Sequence, residues 1–245
     1  MKHTGSVLPG FDADRVMSEL ERAGVQVTWS QADLLVRHAA AVLETNRRLN
    51  LTRITDPDDV LLLHIVDSLT YLSRVAALRG PIVDVGSGAG YPGVPLAIVT
   101  GQPVTLCESV GKKADFLTEV TGTLNLGVEV YAGRAEDLGA ARRGGYGTVV
   151  ARAVAGLPAL IELSAPLLSL GGDLVALKGS PGVEESKAAD VAAEACGLVL
   201  VASERYALPG GAADRTVYRY RKVAEPRIAL PRRPGMAQRK PLGGS

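Results

Sequence analysis

The sequence predicts an α/β protein built on one seven-stranded, mostly parallel sheet, and three observations carry that reading. Between Pro81 and Lys222, short β-branched runs alternate with helical patterns, which requires crossover connections and a sheet covered on both faces. The last two strand patterns are joined by Pro209-Gly210-Gly211 with no helix between them. They should form a hairpin, leaving the seventh strand antiparallel. The residues before Pro81 read as helical, and 245 residues suffice for one large or two unequal domains.

Taken in order, residues 1–80 form an N-terminal helical region expected to pack on the core. Leu34, Leu35, Ala39, Val42, Leu43 and Leu49 fall roughly on one helical face behind Ser30. A second helix should start with Asp56 as N-cap, Pro57 in the first position, and Asp58 and Asp59 against the positive end of the dipole. It should end near Leu78, before the breaker Arg79-Gly80-Pro81. Residues 81–222 form the sheet domain. Strands are expected at 82–86, 104–108, 128–131, 148–152, 174–178, 198–203 and 216–221, and helices at 94–100, 112–124, 157–170 and 183–195. Residues 223–245 hold Pro226, Pro231, Pro234 and Pro241 with five basic residues and little apolar content. This tail is expected to be disordered when free, and its removal to leave stability nearly unchanged.

Composition narrows the function classes. Hydrophobic residues make up 47% and charged residues 22%, which excludes bulk disorder and collagen-like structure. No run approaches the roughly 18 apolar residues of a membrane span, and residues 1–11 lack the apolar core of a secretory signal. Cys107 and Cys196 are too few for a disulfide scaffold and lie outside any C-x-x-C. A cytoplasmic monomer with no membrane partner is expected. His3 and His38 make no ligand spacing with the cysteines, so no metal is expected. Between Arg205 and Ser245 ten basic residues face two acids, a net +8, while residues 1–204 carry −7. An acidic body with a basic end suggests either a polyanionic partner or a solvated tail.

The chemistry-bearing residues begin with Asp84-Val85-Gly86-Ser87-Gly88-Ala89-Gly90-Tyr91-Pro92-Gly93, a strand running into a glycine turn and then a helix. Glycines let backbone approach a ligand at the carboxyl edge of the first strand. A dinucleotide fingerprint would need glycine where Tyr91 stands, and Pro92 and Pro95 remove helix N–H groups that a pyrophosphate would use. The spacing suits S-adenosylmethionine better. Glu108 ends the second strand, where an acid can accept both ribose hydroxyls. Gly133-Arg134-Ala135-Glu136-Asp137 follows the third strand and places an acid to accept from an adenine amine. Arg152 ends the fourth strand. It is positioned to hold a carboxylate or a phosphate, or to pair with Asp84 or another acid. His64 reads as a hydrogen-bonded structural histidine. Arg47, Arg48, Asn50 and Arg53 lie in the connection between the N-terminal helices and are candidates for RNA phosphate contact. Tyr91 is a candidate for stacking on an unstacked base.

The glycine loop with its Pro92-Gly93-Val94-Pro95-Leu96-Ala97-Ile98 extension resembles that of the bacterial 16S rRNA guanine-N7 methyltransferases, formerly called glucose-inhibited division protein B. So do Asn46 with Asn50-Leu51-Thr52, His64 with Asp67-Ser68, Lys112-Lys113 with Phe116-Leu117, Arg134-Ala135-Glu136, Arg152-Ala153 and Leu177-Lys178-Gly179. The resemblance runs from about Asn46 to Arg221. It implies a Rossmann-like class I methyltransferase fold, S-adenosylmethionine as donor, and methylation of guanine N7 at position 527 of 16S rRNA in the small ribosomal subunit. It also implies that Gly86, Tyr91, Ala135, Glu136 and Arg152 line the cofactor, beside Gly88 and Glu108, which the glycine loop and the end of the second strand assign. The family usually places arginine before the histidine, where this chain has Leu63. No general base is required, because N7 carries a free lone pair. The alternatives are a methyltransferase for a small molecule or a protein, and a non-catalytic S-adenosylmethionine-binding regulator.

Overall fold

The structure is a computed structural model that describes residues 8, 10–74, 78–179, 182–211 and 213–244; His3 and residues 75–77 lie outside the described residues. Its strands are β1 (Ile82–Val85), β2 (Val104–Glu108), β3 (Val128–Ala132), β4 (Tyr146–Arg152), β5 (Leu168–Lys178), β6 (Leu198–Ala207) and β7 (Asp214–Lys222). They form one sheet in the order β3-β2-β1-β4-β5-β7-β6. β1 to β5 pair in parallel, and β7 runs antiparallel between β5 and β6. The expected hairpin is therefore present. The strand order reverses between β1 and β4, which is where open α/β sheets open a crevice at their carboxyl edge.

Alternating strand residues bury opposite faces. Ile82, Leu106, Val150 and Val175 join a core with α1 (Ala13–Arg22), α2 (Trp29–Asn46) and the segment that follows them. That segment comprises α3 (Pro57–Asp59), a π-helical stretch (Val60–Val66), α4 (Asp67–Leu69) and a 3-10 turn (Thr70–Ser73). The same face carries α5 (Gly93–Thr100) and α6 (Gly111–Thr123). Val83, Val149, Ala151 and Leu174 point to the other face, against α7 (Ala135–Ala141), α8 (Leu157–Ser164) and α9 (Val183–Cys196). No helix among the described residues is long and apolar enough to cross a membrane.

Four expectations are corrected. α2 starts at Trp29, capped by Thr28 in a reciprocal box with Gln31, so Ser30 lies inside the helix. The helix after Asp56 starts as expected, with the Asp56 carboxylate accepting from the Asp58 and Asp59 N–H groups, but it widens into a π-helix instead of continuing as α. The helix expected over 157–170 stops at Ser164, and Leu168 already pairs with Tyr146 of β4. A continuous buried apolar run carries no period that separates helix from strand. α1 and α7 were not anticipated.

The largest correction concerns the tail. Residues 223–244 pack on the body. Val223 and Ala224 donate to Gly197 O, and Arg227 N–H donates to Ala195 O, at the end of α9. Leu230 and Ala237 are buried in the core on the α8 side. Arg143 donates to Leu230 O, and a short helix, α10 (Met236–Arg239), lies against α8. Arg232 grips Glu162 with two hydrogen bonds of 2.7 and 2.5 Å, and Arg227 pairs with Glu194 at 2.6 Å. Part of the charge asymmetry is thus neutralised within the molecule. Few apolar residues are needed because each of these contacts is specific.

Candidate functional site

The glycine loop leaves β1 through Gly86, Gly88 and Gly90, all with left-handed φ values of 73°, 57° and 96°. At Gly88 an added Cβ would meet no atom nearer than 3.9 Å, so the space beside the loop is open to a ligand and a side chain would fill it. Glu108, buried at the end of β2, orders this loop. Its Oε2 accepts from Gly88 N–H at 2.9 Å and its Oε1 from Val110 N–H at 2.8 Å. Each carboxylate oxygen retains a second acceptor position. Asp84 is fully buried behind the loop. Its Oδ2 accepts from Gly93 N–H at 3.0 Å while Oδ1 has no partner, and burial pushes its carboxyl up to about 7.

Around this loop runs a narrow crevice of about 60 Å³, lined by Gly86, Cys107, Ser109, Ala135, Glu136 and Val154, among others. Glu136 is buried on its rim. Burial pushes the Cys107 thiol up to about 12, so it is no nucleophile near neutral pH. The helix start at Gly93 offers little to a diphosphate, since Asp84 already occupies the Gly93 N–H. Hydroxyls and an amine on a ligand can be met here by Glu136 and, at the adjoining loop, by Glu108.

On the other side of the end of β4 lies a cavity of about 290 Å³, lined by Ile54, His64, Asp67, Arg152, Lys178 and Arg215 with flanking apolar groups. Asp67 organises it. Its Oδ2 accepts from Arg152 at 3.0 Å, and both its oxygens accept from Arg215 Nε at 3.0 Å. Arg152 also donates to Leu63 O at 2.8 Å and to His64 Nδ1 at 3.2 Å. The π-helical stretch makes this geometry available: the Asp67 N–H reaches back to Leu62 O, and the Leu63 carbonyl turns to the arginine. With Nδ1 accepting, Nε2 of His64 carries the proton and donates to Thr52 Oγ1 at 2.8 Å. Burial and the adjacent Arg152 lower the His64 pKa to about 3, so the ring is neutral. It stacks on Tyr91 at 4.5 Å, with His38 on the same tyrosine at 4.7 Å.

The structure thus places Gly86, Ala135 and Glu136 on one crevice, Gly88 and Glu108 together on the adjoining glycine loop, and Arg152 at the end of β4 in the other cavity. Tyr91 is buried between histidines, with Arg152 5.7 Å from its ring centroid. Its ring is not open to stack on a base, which corrects that expectation. Arg47, Arg48, Asn50 and Arg53 are all exposed, and Arg47 pairs with Glu44 at 3.1 Å. Asn46, not Asn50, shapes this connection. Its Oδ1 accepts from the N–H groups of Leu51 and Thr52, and its Nδ2 donates to Thr52 O. Sequence reasoning missed Arg215, because an arginine at the start of a strand has no local signal.

Residues 31–207 match the family model described as rRNA small subunit methyltransferase G. The chain belongs to this family. Its relatives include the ribosomal RNA small subunit methyltransferase G of Halalkalibacterium halodurans, 38% identical over 228 residues, 91% of this chain and 96% of that protein. The enzyme of the same name from Deinococcus radiodurans is 42% identical over 203 residues, 80% of each chain. Two solved structures share the fold at low identity. One comes from work on converting a disulfide bond into a thioacetal group during echinomycin biosynthesis (TM-score 0.51, 18% identity, 64% of this chain and 81% of that chain). The other is a geranyl diphosphate methyltransferase in complex with GPP and sinefungin (TM-score 0.50, 15% identity, 64% and 78%). As a member of the rRNA small subunit methyltransferase G family the chain is a methyltransferase, and the two spaces flanking the end of β4 are its candidate active site.

Proposed function

We propose that this methyltransferase transfers the methyl group of S-adenosylmethionine to N7 of a guanosine in 16S rRNA of the small ribosomal subunit, in the cytoplasm. The observation that carries the reading is the juxtaposition of a crevice at the glycine loop, lined by Gly86 and Glu136, and a cation-rich cavity, both bordering the segment that leaves β4. Gly86 and Gly88 give backbone access to the donor, Glu108 takes its ribose hydroxyls and Glu136 its adenine amine. The donor supplies a methyl group already activated on a sulfonium. Arg152 and Arg215, held by Asp67, face the acceptor side, where they attract a nucleotide's phosphate. Ile54 links that cavity to Arg53, and Thr52 ties the same connection to His64 and Arg152. The exposed arginines at 47, 48 and 53 then meet the surrounding RNA backbone.

Transfer needs the acceptor nitrogen held in line, about 3 Å from the methyl carbon, with water excluded. No proton leaves N7, and the site matches that requirement, since His64 is neutral with both ring nitrogens engaged. The test is transfer of labelled methyl from S-adenosylmethionine to small ribosomal subunits lacking the modification, followed by nucleoside analysis. Label in N7-methylguanosine is expected. Gly88→Val should abolish both transfer and calorimetric binding of S-adenosylhomocysteine, at a cost of about 1–2 kcal/mol in stability for a side chain at its left-handed φ. Label in another nucleoside, or in protein, would refute the reading.

A further inference from the structure

We propose that the C-terminal segment is a wall of the donor crevice and that Gln238 contacts the adenine end of the donor; this rests on the donor reading above. Gln238 lines the crevice together with Ala135 and Glu136. Its backbone is fixed from both sides. Ala237 is buried at 2% exposure, and Arg232, clamped to Glu162, also donates to Lys240 O at 2.8 Å. Gly235, at a left-handed φ of 81°, donates its N–H to Glu136 Oε1 at 2.7 Å. The tail therefore orients the very acid that the sequence assigns to the adenine amine, leaving Glu136 Oε2 for the ligand.

Gln238 is exposed and its side-chain amide has no hydrogen-bond partner among the described residues, while Ala237 before it is buried and the Lys240 carbonyl beyond it is held by Arg232. A carboxamide both donates through its NH2 and accepts through its oxygen, which matches the paired amine and ring nitrogen of an adenine edge. A carboxylate such as Glu136 only accepts. The crevice adjoins a second space of about 450 Å³, lined by Ala155, Gly156, Pro158 and Glu185 among others, and Val154 and Gln238 line both. Val154 packs on the glycine loop, with Cγ2 2.6 Å from where a Cβ on Gly86 would stand. It follows Ala153, whose φ of 56° is unusual for a residue with a side chain. Side-chain movement of Val154 and Gln238 joins the two spaces into the few hundred Å³ that a nucleoside ligand occupies, with the tail still docked.

The experiment is calorimetric titration of the full-length protein and of Gln238→Ala with S-adenosylhomocysteine and with its inosine counterpart, in which the amine is a carbonyl. Wild type should bind the adenosine form more tightly. Gln238→Ala should keep its melting temperature, bind that form about tenfold more weakly, and discriminate less between the two. Wild-type affinity in the variant would overturn the proposal, as would an equal loss for both ligands. A wild type that binds neither ligand would instead overturn the donor reading.

Discussion

Replacing Asp67 with alanine should lower the unfolding free energy by about 3–5 kcal/mol, the cost of breaking a buried ion pair from one side, and should abolish methyl transfer. The Asp67 side chain is 1% exposed and is the shared counter-ion of Arg152 and Arg215. Without it two guanidinium groups face each other in a partly desolvated cavity. Arg152 would keep Leu63 O and His64 Nδ1, but His64 is neutral and cannot offset the charge. Asp67→Asn keeps the shape and one acceptor while losing the charge, so it should fall between alanine and wild type. Urea unfolding and methyl transfer to small subunits measure both effects. A loss below about 1 kcal/mol with transfer intact would show that the two arginines are ordered by something else.

Removing residues 226–245 should cost about 5 kcal/mol, or roughly 10–20 °C in melting temperature for a chain of this size, and should weaken the donor. The Glu162 side chain, 3% exposed beneath the tail, would lose Arg232, and the α8 face that the tail covers would meet water. Leu230 would leave the core, a further loss of about 1.5–3 kcal/mol. This reverses the expectation drawn from composition, under which the tail is dispensable. It also limits what the tail contributes to RNA affinity. Arg227 and Arg232 are engaged by Glu194 and Glu162, so Arg233, Arg239 and Lys240 remain for phosphates. The salt dependence of RNA binding should flatten by at most about 2–3 in log–log slope on truncation. A melting temperature within about 2 °C of wild type would mean that the packed tail adds no stability.

The sheet was legible because its signals are local and redundant. β-branched runs, crossover helices and the Pro209-Gly210-Gly211 hairpin each point to the same architecture, and the hairpin alone makes β7 antiparallel. The glycine loop and Glu108 were legible for the same reason, since both sit at fixed distances along one strand-turn-helix unit. What escaped depends on contacts between residues far apart in sequence. Nothing local says that Asp67 will hold both Arg152 and Arg215, or that Gly235 will cap Glu136. The boundary of α8 was lost because Leu157–Ser164 and the start of β5 are both buried and apolar. The tail was misread because composition counts apolar residues without seeing that two of them fill prepared gaps. Its arginines, likewise, were counted as free charge when two of them have buried or nearby acids waiting.

The most direct measurement of the central claim is the mapping of N7-methylguanosine in small-subunit rRNA from cells with and without this gene. N7-methylguanosine is revealed by strand cleavage after mild reduction and aniline treatment. The proposed function predicts one guanosine, the one at position 527 that the family resemblance implies, cleaved in RNA from cells carrying the gene and uncleaved in its absence. Restoring the wild-type gene should bring the cleavage back, and restoring Gly88→Val should not. Identical cleavage with and without the gene would contradict the account.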